Sequence, residues 1–529
     1  MRLYISLLFL CCSSFLIAQE EKQSLLWEVS GNGMEKPSYL YGTMHVSKKV
    51  AFRLDDVFFK ALDEVETVAL ESDPTTWLAH NYEQMSDASP RSYGGENFYN
   101  RSFNPQFSKK EAVRRIIRFD NRIINGYLYR KQAGADDFEE ETYLDMFIYQ
   151  AGKKNNKPII SLEDIKESRY LTSRAAYNIL KKKPDEWIQK KFKDQNRYTV
   201  QEDVYRDRNI ELLDSIGAAV NTEYYRENML FKRNENMVIV MDSLMQHKTV
   251  FAGVGAAHLA GEKGMIQMLE DRGYTLKPLT SKQTNFALKA KVELEDLYVQ
   301  PYLNTYSTPD GFITIKTFDE LREFVYKEQK FYLAPDMTNG AYLTITRLNT
   351  YDQFPNEEKI TLEEIDPLLY EDIPGDIISK EPITSPFPGF SIVNKTKKGD
   401  YQKYHIYKTP LEMIIIKFGG KKDFVLQYEK EIFGSIQFRK PSNELKTYTS
   451  EYNKYAFLFP ANFISDNTKN VGNKLLQAAV NDEYYFFKEV FNNDITYIEE
   501  DAFEAEYIHD NFYKNLDIEK IDGNFADYS

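Results

Sequence analysis

Thr249-Val250-Phe251-Ala252-Gly253-Val254, running directly into Gly255-Ala256-Ala257-His258, decides how this chain is built. A short apolar run closed by glycine predicts a strand. Met265, Ile266, Met268 and Leu269 then recur at helical spacing until Gly273, and Tyr274 to Leu279 predicts one more strand. Strand, glycine turn, helix and strand in that order suit an α/β sheet, at whose carboxyl edge ligands bind. His258 stands at that edge.

The same pattern occurs near the start. Leu25-Leu26-Trp27-Glu28-Val29 and Ser38-Tyr39-Leu40-Tyr41, separated by Gly31, Gly33 and Pro37, predict two adjacent strands, and Gly42-Thr43-Met44-His45 follows the second. Val57, Phe58, Ala61, Leu62 and Val65 mark a helix, after which Thr67 to Leu70 reads as a buried strand ending in Glu71. From Pro74 to Val200 the chain is mainly helical; Leu144, Phe147, Ile148 and Ala151 mark the buried face of a helix ended by Gly152. A strand from Pro158 to Leu162 ends in Glu163, and a long helical stretch from Glu202 to Gln246 leads back to Thr249. The fold class expected is an α/β N-terminal domain over 24–283 with a helical insertion. α+β C-terminal modules follow: a first segment over 284–354, an acidic, proline-bearing linker over 355–388, and a module over 389–529.

Six His and 24 Gly in 529 residues predict well under one Gly-x-x-His by chance, and here two occur at strand ends. Imidazole ligates Zn, Mn, Co or Fe, and a glycine nearby lets the backbone approach closely. Glu71 and Glu163, also at strand ends, complete a shell that could hold a divalent metal (Mn, Co or Zn) with one position open for water. Two other readings of these residues stay open. The histidines could be hydrogen-bonded core residues with the carboxylates as caps or ion-pair partners. Gly253-Val254-Gly255-Ala256-Ala257-His258 could also be a dinucleotide fingerprint, although its third glycine is His258 and no βαβ unit follows. The chain has no His-Glu-x-x-His, no Gly-x-Ser-x-Gly and no phosphate loop, and His80, His247, His405 and His509 read as surface or core residues.

At the start, Arg2 precedes an apolar run from Ile5 to Ile17 that closes at Ala18, which reads as a signal peptide over 1–18. An exported protein, periplasmic or secreted, is expected, with no integral membrane segment in the mature chain. Both cysteines, Cys11 and Cys12, lie in that leader. The mature chain is therefore expected to lack disulfides, cysteine nucleophiles and thiolate metal ligands. A net charge of −14 argues against nucleic acid or an anionic membrane as the main partner.

Tyr39-Leu40-Tyr41-Gly42-Thr43-Met44-His45-Val46, Val68-Ala69-Leu70-Glu71, Val254-Gly255-Ala256-Ala257-His258-Leu259-Ala260-Gly261-Glu262-Lys263-Gly264 and Arg272-Gly273-Tyr274 together resemble the TraB/GumN family. The resemblance runs from about Leu25 to Leu279 and takes in Leu144-Asp145, Lys157-Pro158, Leu162-Glu163 and Arg233-Asn234. It implies a fold related to erythromycin esterase and ChaN. It also points to Tiki-type metalloproteases, which cleave Wnt proteins, and to a pheromone-shutdown protein. By resemblance His45, His258 and Glu71 form the metal or catalytic set, supported by Gly42, Gly255, Glu163, Arg233 and Asn234. Where the family commonly has Gly-Leu-Glu, this chain has Ser161-Leu162-Glu163. The function expected is a metal-dependent hydrolase of the metallopeptidase type acting on a peptide or protein substrate. The alternative is a non-catalytic binding protein that sequesters a peptide or small ligand.

Overall fold

The computed structural model describes residues 23–77, 79–80, 110–128, 140–177, 180–193, 195–326, 329–352, 360–450, 455–468 and 473–490, with isolated residues between 506 and 519. The expected signal peptide lies outside the described residues. The chain divides into two units: residues 1–76 with 129–297, and residues 77–128 with 298–529.

The first unit is built on a six-stranded sheet. Its strands are β1 (Leu26–Gly31), β2 (Ser38–Thr43), β3 (Thr67–Leu70), β4 (Ile159–Ser161), β5 (Val250–Gly255) and β6 (Tyr274–Leu279), in the order β4-β3-β5-β2-β1-β6. β4, β3, β5 and β2 run parallel, whereas β1 is antiparallel to both β2 and β6. β5, the last of the four parallel strands in the chain, inserts between β2 and β3, so the carboxyl ends of three strands far apart in sequence become neighbours. That is the crevice in which open α/β sheets bind ligands.

Helix Asp56–Glu64 is capped by Asp55, whose side chain accepts the Phe58 N–H, and it buries Phe58 and Leu62. Phe58 meets the Tyr41 and Phe251 rings of β2 and β5 at 4.9 and 5.3 Å between centroids. Helix Leu144–Lys154 extends two residues past Gly152, the expected stop. A Cβ at Gly152 would lie 2.7 Å from Ile159 and 3.0 Å from Val68, so this glycine admits the sheet rather than ending the helix. The helical stretch expected from Glu202 to Gln246 is broken into several helices, with a π-helical turn at Glu227–Phe231 leading into helix Lys232–Met245.

In the second unit, β7 (Asn304–Ser307) and β8 (Ile313–Thr317) precede a seven-stranded antiparallel sheet. That sheet comprises β9 (Arg322–Tyr326), β10 (Gln329–Asp336), β11 (Ala341–Asn349), β12 (Asp376–Ile383), β13 (Gly389–Lys395), β14 (Tyr401–Lys408) and β15 (Glu412–Gly420). All nine residues of β15 are buried, because both faces of the sheet are covered. Ile414, Ile416 and Phe418 pack with β8 and helix Lys422–Gly434, while Met413 and Ile415 pack with helices Lys110–Tyr127 and Leu362–Asp372.

Two features differ from the expected organisation. Part of the helical insertion, helix Lys110–Tyr127, belongs to the core of the second unit. Within 355–388, expected as a linker, the structure describes helix Leu362–Asp372, opened by a Thr361/Glu364 capping box, and strand β12. Acidic residues and proline there decorate regular elements, whose burial rests on the few apolar positions Ile365, Leu369 and Ile373. Among the described residues no helix is long and apolar enough to cross a membrane.

Candidate functional site

Every site residue expected from the sequence lies at or beside the carboxyl edge of the parallel strands. Glu71 follows β3, Glu163 follows β4, and His45 and His258 follow β2 and β5. Backbone pairing continues one step past the strands, from Leu162 N–H to Leu70 O and from Glu163 N–H to Glu71 O. The two carboxylates are thereby set side by side.

Three donors converge. His45 Nε2 is 3.8 Å and His258 Nε2 3.7 Å from the same atom, Glu71 Oε1. Gly255 lies beneath all three: a Cβ there would meet Glu71 Oε1 at 3.2 Å, His45 Nε2 at 3.4 Å and His258 Cδ2 at 3.5 Å. Gly42 brings the two motifs together, since a Cβ there would reach Leu259 at 2.7 Å and Ala256 at 3.1 Å. Both glycines are required by close approach, not by unusual torsion angles.

Each donor is held from behind. The Gly255 N–H donates to Glu71 Oε1 at 2.6 Å, and Arg233 Nη2 donates to Glu71 Oε2 at 2.7 Å. Arg233 also forks onto Glu163, Nε to Oε1 at 2.8 Å and Nη2 to Oε2 at 2.6 Å, and Ser168 donates to Glu163 Oε2. Glu163 was expected as a metal ligand; the structure instead places its carboxylate, 2% exposed, on Arg233. Asn234, the next residue of the same helix, faces His258 Nδ1 through Oδ1 at 2.6 Å and donates from Nδ2 to Lys263 O at 2.7 Å. The sequence reading missed Asp145 as a site residue: its Oδ2 lies 2.8 Å from His45 Nδ1, and its Oδ1 accepts the Thr43 hydroxyl at 2.6 Å.

The electrostatics separate the two histidines. Asp145, and behind it Glu71, favours the His45 imidazolium and pushes its pKa up to about 10; the ring is 54% exposed, and solvent screening tempers that shift. Burial does the opposite to His258, which is held neutral with a pKa near 4 despite the neighbouring Glu71. Burial also opposes ionisation of Glu71, but the His45 imidazolium, Arg233 and the Gly255 amide outweigh it and hold its carboxyl well below the usual range. Glu163 is raised by burial, against the pull of Arg233.

The donor set fits a divalent cation in kind. Carboxylate and amide oxygens behind both Nδ1 atoms keep a proton on Nδ1, so a neutral ring presents its Nε2 lone pair inward, as metal-ligating imidazoles with oxygen partners do; a bound cation would displace the second proton of His45. Donor separations of 3.7–3.8 Å exceed the about 3.3 Å expected between ligands of a tetrahedral zinc. Among the described residues no group of three or more His, Asp or Glu side chains is gathered closely enough to hold an ion as it stands. Each imidazole Nε2 would have to approach Glu71 Oε1 by about half an ångström to reach that separation.

Residues 25–278 match the model of the TraB/PrgY/gumN family. The chain is similar to Metalloprotease TIKI2 of Danio rerio, 21% identical over 447 residues covering 72% of this chain and 82% of the relative. That share exceeds residues 25–278, so the similarity continues past residue 278, beyond the span expected from the motifs. It is also similar to Metalloprotease TIKI1 of Danio rerio, 34% identical over 67 residues, 12% of this chain and 14% of the relative. A crystal structure from Bacteroides thetaiotaomicron aligns with 30% of this chain and 56% of its own at 11% identity and a TM-score of 0.19, too low to bear on the fold.

Proposed function

We propose, from the premise that residues 25–278 are a TraB/PrgY/gumN family segment, that this protein is a metal-dependent hydrolase of peptide bonds. His45, His258 and Glu71 would hold a divalent ion, Mn, Co or Zn. The observation that carries the reading is the convergence of His45 Nε2, His258 Nε2 and Glu71 Oε1, each backed by a partner that orients it. The similar Danio rerio protein is a metalloprotease by name, which supports peptide as the substrate class. The parallel strands that deliver this set at one edge support a fold of the erythromycin esterase and ChaN kind.

When bound, such an ion activates a water and polarises a carbonyl. The chain's own residues arrange for it. Asp145 and Asn234 hold the imidazoles with Nε2 inward. Arg233 offsets the charges of Glu71 and Glu163. Of the two roles expected for Glu71, ligand suits it better than general base, because a carboxylate held so far below its usual pKa is a weak proton acceptor.

Elemental mass spectrometry on the purified chain tests the proposal. Near-stoichiometric Mn, Co or Zn is expected in the native protein and none in a folded His45→Ala/His258→Ala double variant, with hydrolysis of a peptide library lost in parallel. A native protein that takes up none of the three ions and cleaves no peptide sinks the proposal in favour of a peptide- or ligand-sequestering protein. Export belongs to the same proposal, and N-terminal sequencing of the processed protein, expected to begin at Gln19, checks it.

A further inference from the structure

We propose that Asp145 is the positioning residue of this centre: held by Thr43, it locks the exposed His45 ring with Nε2 toward Glu71. The metal arm of the test below rests on the functional reading above; the geometry does not. Asp145 sits in the first turn of helix Leu144–Lys154 with its side chain 14% exposed. Its approach is fixed by backbone pairing: Glu140 N–H donates to Ser47 O at 2.6 Å and Leu144 N–H to Val46 O at 3.3 Å. The chain entering that helix is thus laced to the chain leaving His45. Oδ1 takes the Thr43 hydroxyl at 2.6 Å and Oδ2 faces His45 Nδ1 at 2.8 Å, so both oxygens are engaged and the carboxylate cannot rotate freely. A carboxylate only accepts, which assigns the proton to Nδ1 and turns Nε2 to Glu71 Oε1, 3.8 Å away.

The second motif solves the same problem differently. Ala256 stands where the first motif has Thr43, and it has no hydroxyl to offer a partner. The partner there is an amide, Asn234, which anchors itself by donating to Lys263 O while its Oδ1 faces His258 Nδ1. The pairing of Thr with Asp and Ala with Asn follows exposure. His258 is 5% exposed, caged by packing, and a carboxylate behind it would add a buried charge to desolvate. His45 is 54% exposed, so little but the Asp145 hydrogen bond sets its rotamer. The second position of each Gly-x-x-His therefore matches the partner its histidine uses.

Two measurements on the full chain test this: crystal structures of the metal-free native, Asp145→Ala and Asp145→Asn proteins, and zinc affinity of each by chelator competition. The His45 ring is expected to keep its place in the native protein and in Asp145→Asn, whose Oδ1 still accepts from Nδ1, and to leave Glu71 in Asp145→Ala. Zinc affinity is expected to fall about 10–100-fold in Asp145→Ala and markedly less in Asp145→Asn. A His45 ring unmoved in metal-free Asp145→Ala, or an affinity unchanged there, overturns the positioning role. If the native protein binds no zinc, the affinity arm is run with Mn and Co; if it binds none of the three, the functional reading fails and the ring position alone decides this one. Should Asp145→Ala fail to fold, Thr43→Val, which releases one carboxylate oxygen, carries both measurements, with a smaller loss of affinity expected and an unmoved ring and native affinity again overturning the role.

Discussion

Gly42 and Gly255 open the same motif yet answer to different neighbours. The Cβ of Gly42→Ala would press on Leu259 and Ala256, in the packing between the two motifs. Overpacking of this kind costs about 1–3 kcal/mol, so thermal and urea unfolding should register it. The Cβ of Gly255→Ala would lie among the tips of Glu71, His45 and His258, where the tight contact is to Glu71 Oε1 at 3.2 Å and that side-chain tip must give by a few tenths of an ångström. Stability should change by under about 1 kcal/mol, while the metal uptake and peptide hydrolysis proposed for this site should fall. Equal losses of stability in the two variants would refute this division. Arg233 is a third case: it lies between Glu71 and the nearly inaccessible Glu163. Removing one partner of such a buried set costs about 3–5 kcal/mol. Arg233→Met should lose that much in urea unfolding, and Glu163→Leu added to it should recover part. His45, His258, Glu71 and Glu163 were legible in the sequence because a residue that ends a parallel strand has its edge fixed by the strand. Asp145 lay within the resemblance as part of Leu144-Asp145, but its role was not legible, since its partner is 100 positions away and a helix start carries no mark of what its first turn faces. Glu163 was read as a ligand because strand position locates a carboxylate but does not say which cation claims it.

At the scale of elements, β14 against helix Lys422–Gly434 offers a titratable contact. The His405 ring lies 4.4 Å from the Phe433 centroid, and its Nδ1 is 2.8 Å from the Tyr407 hydroxyl. Burial, with help from Lys403, lowers its pKa to about 4. The folded group thus resists a proton that the unfolded chain accepts near its ordinary value of about 6.5. The contribution to stability is complete above that value and is lost as pH falls from about 6.5 to 4, by up to about 3 kcal/mol. Urea unfolding at pH 7 and pH 4.5 checks it: native protein should lose about 2 kcal/mol more than His405→Phe over that interval, and identical losses would leave no role for His405. All six strands of the first unit were legible to within two residues, because each carries apolar or aromatic side chains in a short run, continuous as in β5 or alternating as in β6. The break at Glu227–Phe231 was not, since a π-turn inserts one residue into an otherwise continuous helical pattern. That turn immediately precedes Arg233 and Asn234.

The two units share the chain unequally: helix Lys110–Tyr127, placed in sequence between two stretches of the unit that carries the site, belongs to the core of the other unit. Sequence order hides this, because an amphipathic helix shows that it has an apolar face but not which surface covers it. Here Ala112, Val113, Ile116 and Ile117 of helix Lys110–Tyr127 pack with Ile365, Leu369 and Ile373 and with Ile392, Tyr404, Ile406, Met413 and Ile415 of the sheet. Arg114 adds ion pairs to Glu371 and to Asp372, whose side chain is fully buried. Each branched side chain so buried contributes roughly 1.5–3 kcal/mol, and net stabilities of domains are only about 5–15 kcal/mol. A fragment of residues 298–529 therefore lacks a structural part and should not unfold cooperatively by calorimetry. A fragment ending at residue 297 should expose the apolar face of that helix and aggregate. Val113→Asp/Ile116→Asp in the full chain should lower the unfolding transition of the second unit while zinc uptake by the first persists. A 298–529 fragment with a sharp, native-like transition would show instead that the helix only decorates a core already complete.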